Sequence, residues 1–347
     1  MNGHNGKPAS RFHVPKKWRA VLGALIILGT GIMIGRGSVP QQTQVASYDH
    51  LQLRAEDPSY KFIKPLLACN RPELRESREF TPLKTAVQQL IEQKIQKNNP
   101  KTVSVYFRDM NNGRWMGINE NDVYDPASLL KVPVMIAWLK EGESDPAIFQ
   151  KKLLYPGIAT EAPQEEFRSL APNTWHTVDE LLTAMIVRSD NDAKDLLIAS
   201  LDRRSLDETF SNLGIAVVGN DLNTRYVISA KAYSLFFRVL YNATYLTREL
   251  SEKALNLLSR SEFQEGLAAG TPPNTVVAHK FGQYGAPDVD VRTSGALEFH
   301  DCGVVYHPTH PYLLCVMTQG SGSFDDLKSI VKNVSQAVYS AVEGNYQ

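Results

Sequence analysis

The sequence predicts an α+β domain: an antiparallel sheet of about five strands, flanked by N- and C-terminal helices, with an all-helical subdomain inserted into it. Three observations lead there. Strand-like runs occur in two groups, near 103–118 and near 276–317. Between about 145 and 275 the chain reads as one helix after another. Amphipathic helices stand outside both strand groups, at 83–97 and 325–343.

The chain of 347 residues opens basic, with Lys7, Arg11, Lys16, Lys17 and Arg19 ahead of any acidic residue. An uncharged run from Ala20 to Gly35 follows, closed by Arg36. As a helix it rises about 24 Å against a hydrocarbon core of ~30 Å. Trp18 at the interface and snorkelling Arg19 and Arg36 extend its reach. No small-x-small cleavage pattern comes next, since the chain reads Arg36-Gly37-Ser38-Val39-Pro40. The expectation is therefore an uncleaved signal anchor over 18–36, spanning the membrane once. The basic tail, 1–17, then lies in the cytoplasm. A stalk or linker, 37–82, whose last part packs on the domain, and the domain itself, 83–345, lie outside. Lys plus Arg and Asp plus Glu are equal at 37 each, so no overall field favours nucleic acid.

In the first helix Leu83, Val87, Leu90, Ile91 and Ile95 form one apolar stripe. The strand 103–107 alternates, and Asn111-Asn112-Gly113 turns it into a second strand around 115–118. A helix carrying Ser128 and Lys131 follows the Asp125-Pro126 turn. Thr177 and Glu180 have the spacing of a capping box. Further helices are expected at 191–201, 205–213, 229–241 and 247–259, and strands at 276–281, 297–306 and 312–317. Cys69, Cys302 and Cys315 permit at most one intrachain disulfide. Symmetric pairing about the loop 307–311 puts Cys302 opposite Val316, which sends the two late thiols to opposite faces. Pairing of Cys69 with either partner, or three buried thiols, stays open.

Three short stretches carry the chemistry. Ser128 and Lys131, at i and i+3 near a helix start, share one face, so a hydroxyl and an amine can meet. An ammonium takes no proton, so such a lysine must be held neutral by burial and by a second cation nearby. The apolar neighbours Leu129, Leu130, Val132 and Val134 suit that demand. Ser189-Asp190-Asn191 follows a strongly apolar helix; Ser and Asp there also serve as ordinary N-caps. A hydroxyl at Ser189 can relay a proton, and the Asn191 amide can hold a substrate carbonyl. His279-Lys280-Phe281-Gly282 ends a strand on the expected sheet edge. Lys280 supplies the second positive charge, and Gly282 lets a substrate backbone approach.

In order and spacing these stretches resemble the active-site elements of the penicillin-recognising serine enzymes, the class A β-lactamases and D,D-peptidases. The resemblance runs over 83–343. It includes Thr177-Val178-Asp179-Glu180-Leu181-Leu182 and Ile228-Ser229-Ala230-Lys231-Ala232. It implies an acyl-enzyme: Ser128 attacks, Lys131 is the base, and Ser189 passes the proton on. Asn191 and Lys280 position the substrate, and the N–H groups of Ser128 and Gln283 form the oxyanion hole. It implies no cofactor and no metal, and a peptidoglycan peptide, another amide or a β-lactam as substrate. The histidines at 279, 300, 307 and 310 are not read as a metal site, because no His-Glu-x-x-His spacing appears.

Two departures stand out. Where class A β-lactamases carry the deacylating Glu of a Glu-x-x-Leu-Asn pattern, Leu222-Asn223 here puts Gly219. Asp221 is the only acid near it. Phe281 replaces the Ser or Thr whose hydroxyl helps bind the substrate carboxylate, which shifts that task to Lys280 or Arg292. A serine hydrolase without rapid deacylation fits this best. The alternatives are a true class A β-lactamase and a non-catalytic cell-wall binding protein of the same fold.

Overall fold

The computed structural model describes residues 54, 57–66, 76–98, 100–157, 167–215, 227–285, 297–344 and 346. The anchor at 18–36, Cys69, the stretch holding Gly219, Asp221, Leu222 and Asn223, and Arg292 lie outside them. Among the described residues no helix is long and apolar enough to cross a membrane.

Among the described residues the domain runs through α1 (Thr81–Asn98), β1 (Pro100–Asp109), β2 (Trp115–Ile118) and β3 (Val123–Tyr124). A 3-10 turn, Ala127–Leu130, then runs into α2 (Lys131–Ser144). The middle holds β4 (Lys152–Tyr155), β5 (Thr174–Thr177), α3 (Val178–Val187), α4 (Asn191–Ser200) and α5 (Arg203–Asn212). It continues through β6 (Ile228–Ser229), α6 (Ala230–Tyr241) and α7 (Arg248–Ser259). The chain ends with β7 (Val277–Tyr284), β8 (Leu297–Val305), β9 (Tyr312–Gly320) and α8 (Phe324–Glu343). The main sheet is antiparallel, five-stranded, in the order β2-β1-β9-β8-β7, so β7 is an edge.

The sheet separates two apolar clusters, and strand alternation assigns residues to each. Val103, Val105 and Phe107 of β1, with Leu314 and Val316 of β9, face α1 and α8 and pack on Val87, Ile330 and Val334. Tyr106, Leu313, Cys315 and Met317 face the helical block, against Met135, Phe237 and Leu240. Burial on both sides explains why every residue of β8 is buried. The capping box at Thr177 and Glu180 is present, and Ser229 and Thr247 cap α6 and α7 as their hydroxyls accept from Ala232 N and Leu250 N. Residues 61–63 dock on the domain: the Glu252 carboxylate accepts from the N–H groups of Lys61, Phe62 and Ile63 at 2.6, 2.9 and 3.0 Å.

Three expectations need correction. The stretch 145–275 is not wholly helical, because β4 pairs with β5 and β6 with β3 in two small antiparallel sheets. Ser128 sits on a 3-10 turn ahead of α2, not on an α-helix. Cys302 lies opposite Cys315, not Val316, and the two form a disulfide. The one-residue change has a cause in Tyr306, which leaves the hairpin ladder. Its N–H goes to Val276 O and its hydroxyl donates to Phe62 O at 3.0 Å, so the ladder closes at Val305 and Tyr312.

Candidate active site

The nucleophile turn is fixed from three sides. Asp125 Oδ1 accepts from Ala127 N at 2.9 Å, Glu298 Oε2 accepts from Asp125 N at 2.9 Å, and Tyr233 donates to Leu129 O at 2.9 Å. His300, fully buried, is 2.9 Å from Asp125 O through Nε2, while Nδ1 takes the Thr318 N–H at 3.3 Å. That pattern requires the Nε2–H tautomer. Ala127 is held at φ 47, a left-handed value that a non-glycine residue adopts only when its surroundings enforce it. Ser189 shows the same feature at φ 57, just past α3. Strain of this sort collects where a side chain must be aimed rather than merely packed.

Lys131 is fully buried, and its Nζ meets Ser128 Oγ at 2.9 Å, Ser189 O at 2.6 Å, Ser189 Oγ at 3.0 Å and Asn191 Oδ1 at 2.8 Å. A neutral amine fits this shell. Its two N–H groups donate to Ser189 O and Asn191 Oδ1, leaving the lone pair for the Ser128 hydroxyl proton. Burial first, and then the Lys280 ammonium, push Lys131 down to about 5. Lys280 is also fully buried, and its Nζ donates to Ser189 Oγ at 2.8 Å and to Phe281 O at 3.0 Å. Burial lowers it to about 7, against the opposing pull of the Asp301 carboxylate. Ser189 Oγ thus bridges the two amines, and the half-buried Ser128 is the member open to a ligand.

Gly282 and Gln283 follow on the edge strand. A Cβ on Gly282 would come 2.8 Å from Pro126 O and 3.1 Å from Leu129 N. Space at this glycine is taken by the nucleophile turn itself. The N–H and C=O of one strand residue point to the same side, and the side repeats every second residue. Phe281 O points off the edge toward Lys280 Nζ, so the Gln283 N–H faces that side too, near the Ser128 turn.

Some residues of the site were not legible as such. Asp301, buried in β8, accepts from Leu267 N at 2.8 Å and pairs with His279 Nδ1 at 2.8 Å. The signal was present, because an acid in the run Leu297–Val305 has no reason to lie between two apolar layers unless paired. The Phe281 ring, standing where the expected hydroxyl would be, stacks on Phe263 with centroids 4.0 Å apart. His307 pairs with Glu343 at 2.9 Å at the far end of α8. Among the described residues no group of three or more His, Cys, Asp or Glu is placed to hold a metal.

The β-lactamase enzyme family matches residues 82–342, and the chain belongs to it. Its class is therefore that of the β-lactamase-like serine hydrolases. Among solved structures, PBP-A superposes with a TM-score of 0.63 at 24% identity, over 78% of this chain and 99% of its own. A single-residue variant of PBP-A, captured as an acyl-enzyme with penicillin G, gives 0.64 at 24% over 78% and 100%. A β-lactamase from Chitinophaga pinensis DSM 2588 gives 0.64 at 18% over 75% and 99%. At these identities the likeness is one of fold. No curated protein matches the chain in sequence.

The two amines predict a pH profile. The base form of Lys131 is lost as pH falls through about 5, and the charge on Lys280 is lost as pH rises through about 7. The rate of Ser128 acylation is expected to be bell-shaped, highest between those values, with both limbs belonging to the coupled pair. Acylation rates across pH 4–9 (about one point per half unit), with a β-lactam that does not itself titrate there, check this.

Proposed function

We propose that this chain is a membrane-anchored, extracytoplasmic serine hydrolase acting through an acyl-enzyme on Ser128, with peptidoglycan-type peptides, related amides or β-lactams as substrates. The observation that carries it is the contact of a buried Lys131 Nζ with Ser128 Oγ at 2.9 Å. Ser128 attacks the carbonyl as Lys131 takes its proton, and the developing oxyanion rests between the N–H groups of Ser128 and Gln283. Ser189 carries the proton onward to the leaving group, and Asn191 and Lys280 orient the substrate. Residues 18–36 anchor the chain and place 37–347 outside the cytoplasm, by the basic flank at Lys16, Lys17 and Arg19.

The absence of a Glu from 209 to 248 supports slow release of the acyl group, as in a D,D-peptidase-like enzyme rather than a true β-lactamase. A chromogenic cephalosporin distinguishes the two. The expected result is a burst of about one product per enzyme followed by a slow phase. Sustained turnover without a burst would point to a water-activating group elsewhere and to a true β-lactamase.

A further inference from the structure

A cavity of about 290 Å³ opens next to the catalytic groups, and none of Ser128, Lys131, Ser189, Asn191 and Lys280 lines it. Phe167, Phe263, Phe281 and Val187 form its apolar wall, and Arg188 and Glu262 are exposed at its rim. We propose that this cavity is the leaving-group subsite, and that it favours an uncharged aromatic or bulky apolar group over a carboxylate. The inference rests on the acyl-enzyme reading above.

Place is the first argument. Asp190 and Phe281, both lining the cavity, directly follow Ser189 and Lys280, whose Oγ and Nζ are 2.8 Å apart. Ser189 is the group placed to protonate what leaves, so the leaving group lies on its side of the site. The step balances. Ser128 Oγ bonds to the acyl carbon as the bond from that carbon to the leaving oxygen or nitrogen breaks. The Ser128 proton passes to Lys131 Nζ and a proton moves through Ser189 Oγ to the departing atom, which leaves as alcohol or amine. Water later frees the acid from Ser128.

Shape and charge select the ligand. The Phe263 and Phe281 rings stack at 4.0 Å with 22° between planes, and Phe167 closes on Phe281 at 5.8 Å. A cavity of about 150 Å³ already holds benzene, so this one takes a benzyl or indolyl group. Its ionic lining is balanced: Arg168 and Arg188 against Asp190 and Glu262. Arg168 is bound to Asp192 at 2.6 Å, and Asp190 accepts from Ser169 Oγ at 2.5 Å and Ala193 N at 2.8 Å. Lys280 is buried, with its Nζ directed to Ser189 Oγ and Phe281 O. Lys280 Nζ lies 4.1 Å from the Phe281 centroid but is engaged by Ser189 Oγ and Phe281 O, so a carboxylate there would meet apolar rings and a balanced ionic lining, at a desolvation cost that a neutral aromatic group avoids.

The test uses the full chain in detergent and three esters of N-acetyl-D-alanine, with benzyl alcohol, ethanol or lactic acid as leaving group. The wild type should favour benzyl over ethyl in kcat/KM by about tenfold or more, and benzyl over lactyl. Phe263→Ala should bring the benzyl-to-ethyl ratio to near unity, and Phe281→Thr should raise the lactyl ester relative to benzyl. Because each reading is a ratio within one protein, partial unfolding or slower chemistry cancels. A wild type that prefers lactyl, that treats benzyl and ethyl alike, or whose ratio Phe263→Ala leaves unmoved overturns the subsite. A fluorophosphonate separates the two levels. If it labels Ser128 while the esters show no preference, only the subsite fails. If neither it nor any ester modifies Ser128, the acyl-enzyme reading fails and the subsite with it.

Discussion

Replacing Lys131 with methionine is expected to slow acylation of Ser128 by about 10²–10⁴-fold, the usual worth of a placed general base, with the protein at least as stable as before. The kinetic half follows from geometry: Nζ is 2.9 Å from Ser128 Oγ, within reach of its proton. The stability half follows from burial. In the unfolded chain Lys131 holds its proton to its ordinary value of 10.5, and in the folded chain only to about 5. Folding near neutral pH therefore strips a proton from it, a penalty that begins below 10.5 and grows as pH falls toward 5. At pH 7 that penalty is of the order of 5 kcal/mol. Methionine removes it, while taking the Nζ donor away from Ser189 O and Asn191 Oδ1 costs about 1–3 kcal/mol each. The terms nearly cancel or favour the variant. Stopped-flow acylation together with thermal melts at pH 7 (and again near 9, where the penalty shrinks) reads both halves. A variant that unfolds would show Lys131 to be a structural lysine first.

Gly282→Ala is expected to lose activity and stability together. The new Cβ would stand 2.8 Å from Pro126 O and 3.1 Å from Leu129 N, both backbone atoms of a turn that is itself braced by Asp125, His300 and Tyr233. Neither neighbour is a flexible side-chain end, so β7 must move off the turn. Overpacking of this kind costs about 1–3 kcal/mol. The same shift parts the N–H of Gln283 from that of Ser128, and losing one oxyanion donor costs about 10²–10³-fold in rate. If the glycine served only a passing substrate, the melt would not change and the loss would grow with substrate size. Denaturant unfolding beside acylation rates with a small and a large acyl donor separates these outcomes.

Most of the fold was legible because periodicity is a local property. Among the described residues the sheet strands and the helices alternate or recur at helical spacing, and Thr177, Ser229 and Thr247 mark helix starts by their hydroxyls. What escaped was short or set at a distance. The β4–β5 hairpin pairs four residues with four, and its facing pair Leu154 and Trp175 is exposed, so it carries no alternation to read. The Cys302–Cys315 register turned on Tyr306, whose partners Val276 and Phe62 are remote in sequence. In the site, Ser128, Lys131, Ser189, Asn191 and Lys280 could be named because their residue types state a chemistry. Asp301, His300 and Tyr233 could not, since they act by holding other groups. The crowding at Gly282 is a fact of tertiary contact alone.

The measurement that bears most directly on the account is the mass of the intact soluble domain over time with a β-lactam, for the wild type and for Ser128→Ala. The account predicts an adduct of one drug mass on the wild type, persisting for many minutes, and none on the variant. An equal adduct on both proteins, or an unmodified wild type with the drug intact, would contradict Ser128 as the nucleophile of this fold.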